Sequence, residues 1–222
     1  MAISIRGILL DALAVLSPVD CAGCGSPDRA LCERCRVQLQ PAVTPRTLPD
    51  GSMVFTALRY EGVARTALLA FKEGGRTDIA RTLGTSLSAA LERAAEPQAE
   101  FVAVPSGRSA RRRRGYDPVA VLCRKAGVTP SSVLRMTRST PSQKTLGAAG
   151  RAHNLHESMS ARGALHGRRF ILVDDVVTTG ASLTEAARAV HAVRRIQPII
   201  NTIPRSSGTA CCTPSSPTPS AA

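Results

Sequence analysis

Apolar positions along the chain follow two rhythms. Around Phe101–Pro105 and Phe170–Val173 they run on without polar interruption, and both stretches read as strands, the second a buried one. Met53–Tyr60 reads as a further strand, and Ile196–Ile203 as a possible last one. Elsewhere the period is helical. After Tyr60-Glu61-Gly62 the apolar face is Val63, Ala67, Leu68 and Phe71, ending at Lys72 and Gly74-Gly75. A second helix, Ile79–Ala95, turns Leu83, Leu87, Ala90 and Leu91 inward, and a third carries Leu183, Ala186, Ala187, Val190 and Val193. Ile3–Leu16 is apolar but broken by Asp11, with Pro18-Val19-Asp20 where a cleavable signal would want small residues, so it reads as an amphipathic helix.

Chemistry concentrates where the strand Phe170–Val173 ends. Asp174 and Asp175 follow it directly, then the small and hydroxylic loop Thr178-Thr179-Gly180-Ala181-Ser182, then the third helix, for which Ser182 and Glu185 have capping-box spacing. A helix N-terminus entered through Gly and hydroxyl residues presents free N–H groups and partial positive charge, which suits a phosphate monoester. Two acids beside a phosphate would repel it unless they accepted hydrogen bonds from sugar hydroxyls or held Mg²⁺. A ribose 5-phosphate has both kinds of group. The bland alternative is a buried strand and loop with incidental acids. The stretch VDDVVTTGAS resembles the 5-phosphoribosyl-1-pyrophosphate (PRPP) signature of type I phosphoribosyltransferases. That resemblance implies that Asp174 and Asp175 hold the ribose hydroxyls and that Thr178–Ser182 hold the 5-phosphate.

A second anion site follows the strand FVAVP. In Ser106-Gly107-Arg108 the glycine permits close backbone approach and the arginine offers a forked donor, and the position resembles the pyrophosphate loop of the same enzymes. Next comes Arg111-Arg112-Arg113-Arg114-Gly115-Tyr116-Asp117, by composition a solvated basic patch or a nucleic-acid contact. Lys72 and Arg65 could face an anion, although a charge on a solvated helix face is the commoner case. The stretch 135–155 is polar and Gly-bearing like an active-site lid, with Arg138, Gln143, Lys144 and Arg151 as candidate contacts; the alternative is a surface loop touching nothing.

Near the N-terminus, Cys21-Ala22-Gly23-Cys24 and Cys32-Glu33-Arg34-Cys35 make two CxxC knuckles whose thiolates can converge on one tetrahedral Zn²⁺. A disulfide pair or an iron–sulfur cluster are the alternatives. Four cysteines leave a zinc no open position, so its role would be structural. Cys123 reads as a helix core residue; Cys211 and Cys212 fit no second site.

The chain of 222 residues suffices for one full core plus a small module. Pro41, Pro45 and Pro49 mark a linker, giving a helix and Cys₄ module over 1–40, a linker over 41–52, an α/β domain over 53–205 and a Ser/Pro/Thr tail over 206–222. The formal charge is +13, and 29 Lys and Arg include only three Lys. Such a chain favours anionic partners, a class that covers PRPP, pyrophosphate and nucleic acid alike. Trp is absent and aromatics are scarce, so no base-stacking platform is offered. There is no GxxxxGK[ST] loop, which excludes an ATP motor of that type. No segment has the ~18 apolar residues of a membrane span, and a cytoplasmic protein is expected.

Taken together, the Cys₄ knuckles, the YEG…K…G segment, VPxxxxxxRxRGYD and VDDVVTTGAS are similar to the ComF family, competence-associated proteins resembling phosphoribosyltransferases, over Leu16 to Val193. The resemblance implies an α/β type I phosphoribosyltransferase fold, a Rossmann-like parallel sheet flanked by helices, behind a small zinc module. It implies Mg²⁺-dependent transfer of phosphoribose from PRPP to an unidentified acceptor with release of pyrophosphate. The open alternatives are a non-catalytic adaptor in DNA uptake, working with the uptake machinery or single-stranded DNA, and a nucleic-acid binding protein. The chain departs from relatives at Ser106–Arg108, where many carry a bulkier residue and a Pro, and beyond Arg194-Arg195. Thr178 stands where the 6-oxopurine salvage enzymes carry an Asp base, which argues against that acceptor class.

Overall fold

A computed structural model describes residues 19–27, 29–137, 157–163, 165–190 and 200–201. The helix expected over Ile3–Leu16, the candidate contacts Arg138, Gln143, Lys144 and Arg151, and the tail with Cys211 and Cys212 lie outside these residues. The elements run α1 (Glu33–Gln38), β1 (Thr44–Thr47), β2 (Met53–Thr56), β3 (Leu58–Arg59), α2 (Gly62–Glu73), a 3-10 turn (Thr77–Ile79), α3 (Ala80–Ala94), β4 (Ala99–Ala103), α4 (Arg108–Arg114) and α5 (Pro118–Lys125). After these come β5 (Leu134–Met136), β6 (Met159–Ala161), β7 (Arg169–Val173), α6 (Ala181–Val190) and β8 (Ile200–Asn201).

The central feature is the parallel pair β4–β7, in register from Ala99↔Arg169 to Ala103↔Val173 and prolonged by the Val104 N–H bonding to the Val173 carbonyl at 2.8 Å. Successive side chains of a strand point to opposite faces, and here each face has its own core. Val102, Val104, Phe170 and Leu172 pack with Leu183, Ala186 and Val190 of α6 and with Met136 and Met159. Phe101, Ala103 and Val173 face the other way, onto Leu68 and Phe71 of α2, Leu83 and Leu87 of α3 and Leu122 of α5. Burial on both faces is why these two strands read as unbroken apolar runs. Helices α3 and α5 meet backbone to backbone at Gly84, where a Cβ would lie 2.5 Å from that of Lys125.

The expected Rossmann-like parallel sheet is met in part. The fold is mixed α/β, with parallel pairs β4–β7 and β3–β8, but the described strands form two-stranded ladders rather than one continuous sheet. Antiparallel pairs β1–β2 and β5–β6 complete the set. Met53–Tyr60 is not one strand: it breaks at Ala57, and its two halves pair with different partners. In α2 the inward residue of the first turn is Ala64, and Val63 is only half-buried.

Two expectations are corrected. The segment 41–52, expected as a linker, contains β1, which pairs with β2 from Thr44↔Thr56 to Thr47↔Met53; Pro45 is accommodated because β1 is an exposed edge. The cysteine module does not stand apart either. Cys21, Leu31, Cys35 and Leu39 share a core with Ala64, Leu68 and Phe71 of α2.

Candidate functional site

Strand β7 delivers Asp174 and Asp175 to the end of the sheet pair, and the loop from Val176 to Gly180 leads into α6. Gly180 has φ of +81°, and a Cβ there would come within 2.8 Å of Leu48 Cδ1, so the position needs glycine for conformation and for space. Its carbonyl accepts the N–H groups of Leu183 and Thr184 at 2.9 Å each, which starts the helix at Ala181. The capping box expected of Ser182 and Glu185 is not formed. Glu185 is 5% exposed and turns into the core, accepting from the Met159 N–H at 3.0 Å and pairing with Arg188 at 2.8 Å. Burial opposes its charge, but Arg188 and the Met159 N–H outweigh that and hold its pKa below the usual range. The cap is instead modest: Thr179 Oγ1 accepts from the Ala181 N–H at 3.4 Å. The segment once expected as a linker braces this loop, with Leu48 against Gly180 and Asp50 accepting from Thr184 Oγ1 at 3.0 Å.

Facing this loop is the end of β4. Ser106 and Gly107 lie across from the acid pair in one cleft of about 340 Å³, lined by Asp174 through Leu183, by Val104 to Gly107, and by Lys72, Ala110 and Arg114. Met136 and Met159, which flank the stretch 138–156, also stand in its wall. Asp174, Asp175, Thr178, Thr179, Gly180, Ala181, Ser182, Ser106 and Gly107 all line this cleft. Arg108 does not. It is exposed on the first turn of α4 and contributes nothing to the cleft wall, because the chain turns into helix at once after Gly107.

Lys72, for which the sequence leaves open an anion or a solvated helix face, stands in the cleft wall. Its Nζ donates to Asp175 Oδ1 at 2.9 Å, with side chains 24% and 8% exposed. Burial opposes the ammonium charge, but Asp175 and then Asp174 outweigh it and raise the Lys72 pKa. Asp174 goes the other way. Burial and the neighbouring Asp175 charge push its carboxyl up to about 8, against the pull of Lys72 and of the Asp175 N–H, which donates to Asp174 Oδ1 at 2.8 Å. Burial thus opposes the Asp174 charge, while the lysine's hydrogen bond goes to Asp175.

The Arg111–Asp117 run divides its labour. Arg111, Arg112 and Arg113 are exposed, whereas Arg114 lines the cleft. Gly115 closes α4 in the left-handed region, at φ of +77°. Tyr116 then packs on Phe71, ring centroids 5.5 Å apart, and its hydroxyl donates to the Phe71 carbonyl. Asp117 caps α5 through the Ala120 N–H and accepts the Ser106 N–H with its other oxygen, each at 3.3 Å. What reads as a basic patch is therefore also a clamp that ties the Ser106–Gly107 loop to α2.

At the N-terminal side, the sulfurs of Cys21, Cys24, Cys32 and Cys35 all lie within 4.8 Å of one another, and Cys24 and Cys32 are 3.7 Å apart. A zinc with Zn–S bonds of ~2.3 Å in a tetrahedron sets sulfurs roughly 3.8 Å apart, so the four fit that ion as a structural site. The Cys32 N–H points at Cys21 Sγ, 3.3 Å away. Burial works against the Cys21 thiolate, yet N–H groups of Cys32, Cys24 and Gly23 bring its pKa down to about 6. Cys35 is pushed up by burial and by the neighbouring thiols, an imbalance that a shared dication would remove. Gly23 is needed for room: a Cβ would meet Cys35 Sγ at 2.7 Å and Val63 Cγ1 of α2 at 2.9 Å. Cys123 is fully buried in α5, as expected.

Among the described residues no helix is long and apolar enough to cross a membrane. No protein-family model matches the chain. It is similar to the DNA utilization protein YhgH of Escherichia coli O157:H7, of Escherichia coli strain K12 and of Shigella flexneri. In each case 26% of 183 aligned residues are identical, covering 76% of this chain and 81% of the relative.

Proposed function

We propose that the cleft binds PRPP and that the protein is a phosphoribosyltransferase of the ComF type, transferring phosphoribose to an acceptor not yet identified. The observation that carries this reading is the meeting, in one cleft, of the acid pair at the end of β7, the Gly180 loop entering α6, and the Ser106–Gly107 loop after β4. In this reading the backbone of the Thr178–Ser182 loop, at the entry to α6, takes the 5-phosphate, helped by the helix dipole. Asp174 and Asp175 accept hydrogen bonds from the ribose hydroxyls, and Lys72 fixes the rotamer of Asp175. The bond from the anomeric carbon to pyrophosphate breaks with its electron pair leaving on oxygen, while the acceptor's lone pair forms the new bond. Positive charge grown at that carbon is stabilised by the acids, the leaving group by donors on the opposite wall. The carboxylate oxygens are the hard donors Mg²⁺ prefers, and Asp174, free of the lysine, is the acid that would face a Mg²⁺–PRPP complex, the metal supplying charge neutralisation of the diphosphate.

A role in handling DNA is supported by the name its relatives carry, DNA utilization protein. The exposed Arg111, Arg112 and Arg113 beside the cleft favour a second reading, an adaptor that meets nucleic acid at that surface. Calorimetry with PRPP and Mg²⁺, followed by a screen of nucleobases and amines for PRPP-dependent pyrophosphate release, separates the two. Heat of PRPP binding with turnover supports the enzyme. Absence of PRPP binding, with DNA affinity falling steeply in salt, supports the adaptor.

A further inference from the structure

Among the described residues, two of the three guanidinium nitrogens of Arg114, Nε and Nη1, are buried without a hydrogen-bond partner, although the side chain lines the cleft. A buried donor left unpaired costs about 1–3 kcal/mol, and more when it is charged, so native proteins seldom keep one without an external partner. The backbone holds Arg114 firmly: it ends α4, Gly115 turns the chain away in the left-handed region, and Tyr116 is anchored on Phe71. Lys72, next to that anchor, is the other cation among the described residues that line the cleft. Lys72 spends one of its three donors on Asp175, and the charge of Arg114 acts on it unfavourably. Two like charges and two unpaired donors stand on one wall.

We propose that Arg114, with Lys72 beside it, receives a second anionic group in the cleft, so that the ligand carries a diphosphate-type group there and a monophosphate at the start of α6. This rests on the PRPP reading and assigns the diphosphate to residues outside the Ser106–Arg108 and Thr178–Ser182 loops. It replaces Arg108, which the motif position suggested and which is exposed. The guanidinium fork suits two oxygens of one phosphate-type group in a way a lone ammonium does not. The Ser106–Gly107 backbone, tied to the same clamp by Asp117, forms the adjoining wall.

The test is calorimetry on the full chain with inorganic pyrophosphate, ribose 5-phosphate and PRPP, each with Mg²⁺. Wild type is compared with Arg114→Gln, Arg114→Lys and Arg93→Gln, the last an exposed arginine of α3 with the same change of charge. Arg114→Gln should weaken pyrophosphate and PRPP roughly tenfold or more, and ribose 5-phosphate by less than about twofold. Arg93→Gln should change none of them. Arg114→Lys keeps the charge and protects against a folding artefact; it should still lose several-fold in pyrophosphate affinity because the fork is gone. Equal pyrophosphate binding by wild type and Arg114→Gln, or no pyrophosphate binding by wild type, overturns the assignment. Ribose 5-phosphate and PRPP decide the wider reading separately: if pyrophosphate binds through Arg114 but neither sugar phosphate binds, the assignment stands and the PRPP reading falls.

Discussion

Replacing Asp174 by Asn should stabilise the ligand-free protein at pH 8 and do almost nothing at pH 4.5. The carboxyl's ordinary value of 3.8 is raised to about 8 in the folded chain by burial and by Asp175. A raised folded pKa contributes stability that is fully present below the unfolded value and is lost as pH climbs toward the folded one. Wild type therefore loses stability between pH ~4 and pH ~8, and a neutral amide does not titrate there. Full linkage over that interval would be roughly 5 to 6 kcal/mol. Asp174 borders the open cleft and keeps the Asp175 N–H bond, which Asn Oδ1 can also accept, so solvent screening reduces the expected gain to about 1–2 kcal/mol. In melting temperature that is roughly 2–8 °C for a chain of this size. The assay is thermal unfolding of both proteins at several pH values without ligand. An equal shift at pH 4.5 and pH 8, or a destabilised variant at pH 8, refutes the argument.

Elemental analysis should find about one zinc per wild-type chain, and Cys21→Ser should lose it; because Cys21 shares a core with α2, the main melting transition should fall as well, not only a local one. Gly180→Ala should cost about 1–3 kcal/mol in denaturant unfolding, since φ of +81° and contact with Leu48 both oppose a Cβ, and Gly180→Asp should in addition weaken PRPP binding sharply. Asp117→Ala should cost about 1 kcal/mol for the lost α5 cap and loosen the grip on Ser106, seen as weaker pyrophosphate binding in calorimetry, while Asp117→Asn should recover most of the stability.

How far the sequence could be read depended on the range of the interaction. Asp174, Asp175 and the Thr178–Ser182 loop were legible because strand, acids, loop and helix are contiguous, and their order alone fixes their relation. The four cysteines were legible through a similar local spacing. Lys72 was not, since its partner lies 103 residues away; the available hint was its place just after Phe71, a fully buried residue at the end of an apolar stripe. Arg114 stood in the RxRGYD segment among identical neighbours, where its inward turn could not be read; the left-handed Gly115 that follows it is the local mark. The capping box failed for a related reason. Ser182 and Glu185 have the right spacing, but the pattern cannot tell a Glu that reaches back to the helix start from one drawn into the core by Arg188 and the Met159 N–H. The prolines of 41–52 signalled a break in regular structure, but an edge strand tolerates proline, and β1 is one.

Helix α2 behaves as a lever. Its first turn sits against the cysteine knuckles, where Val63 and Cys35 leave no room for a Cβ on Gly23, and its last turn carries Lys72 to the acid pair. Twelve residues span about 18 Å. A tilt of only about 5° at the knuckle end would swing the far end by on the order of 1.5 Å, enough to part a hydrogen bond of normal length. The Lys72–Asp175 contact is thus aligned from a distance, by the packing of the two cysteine knuckles against the opposite end of the same helix.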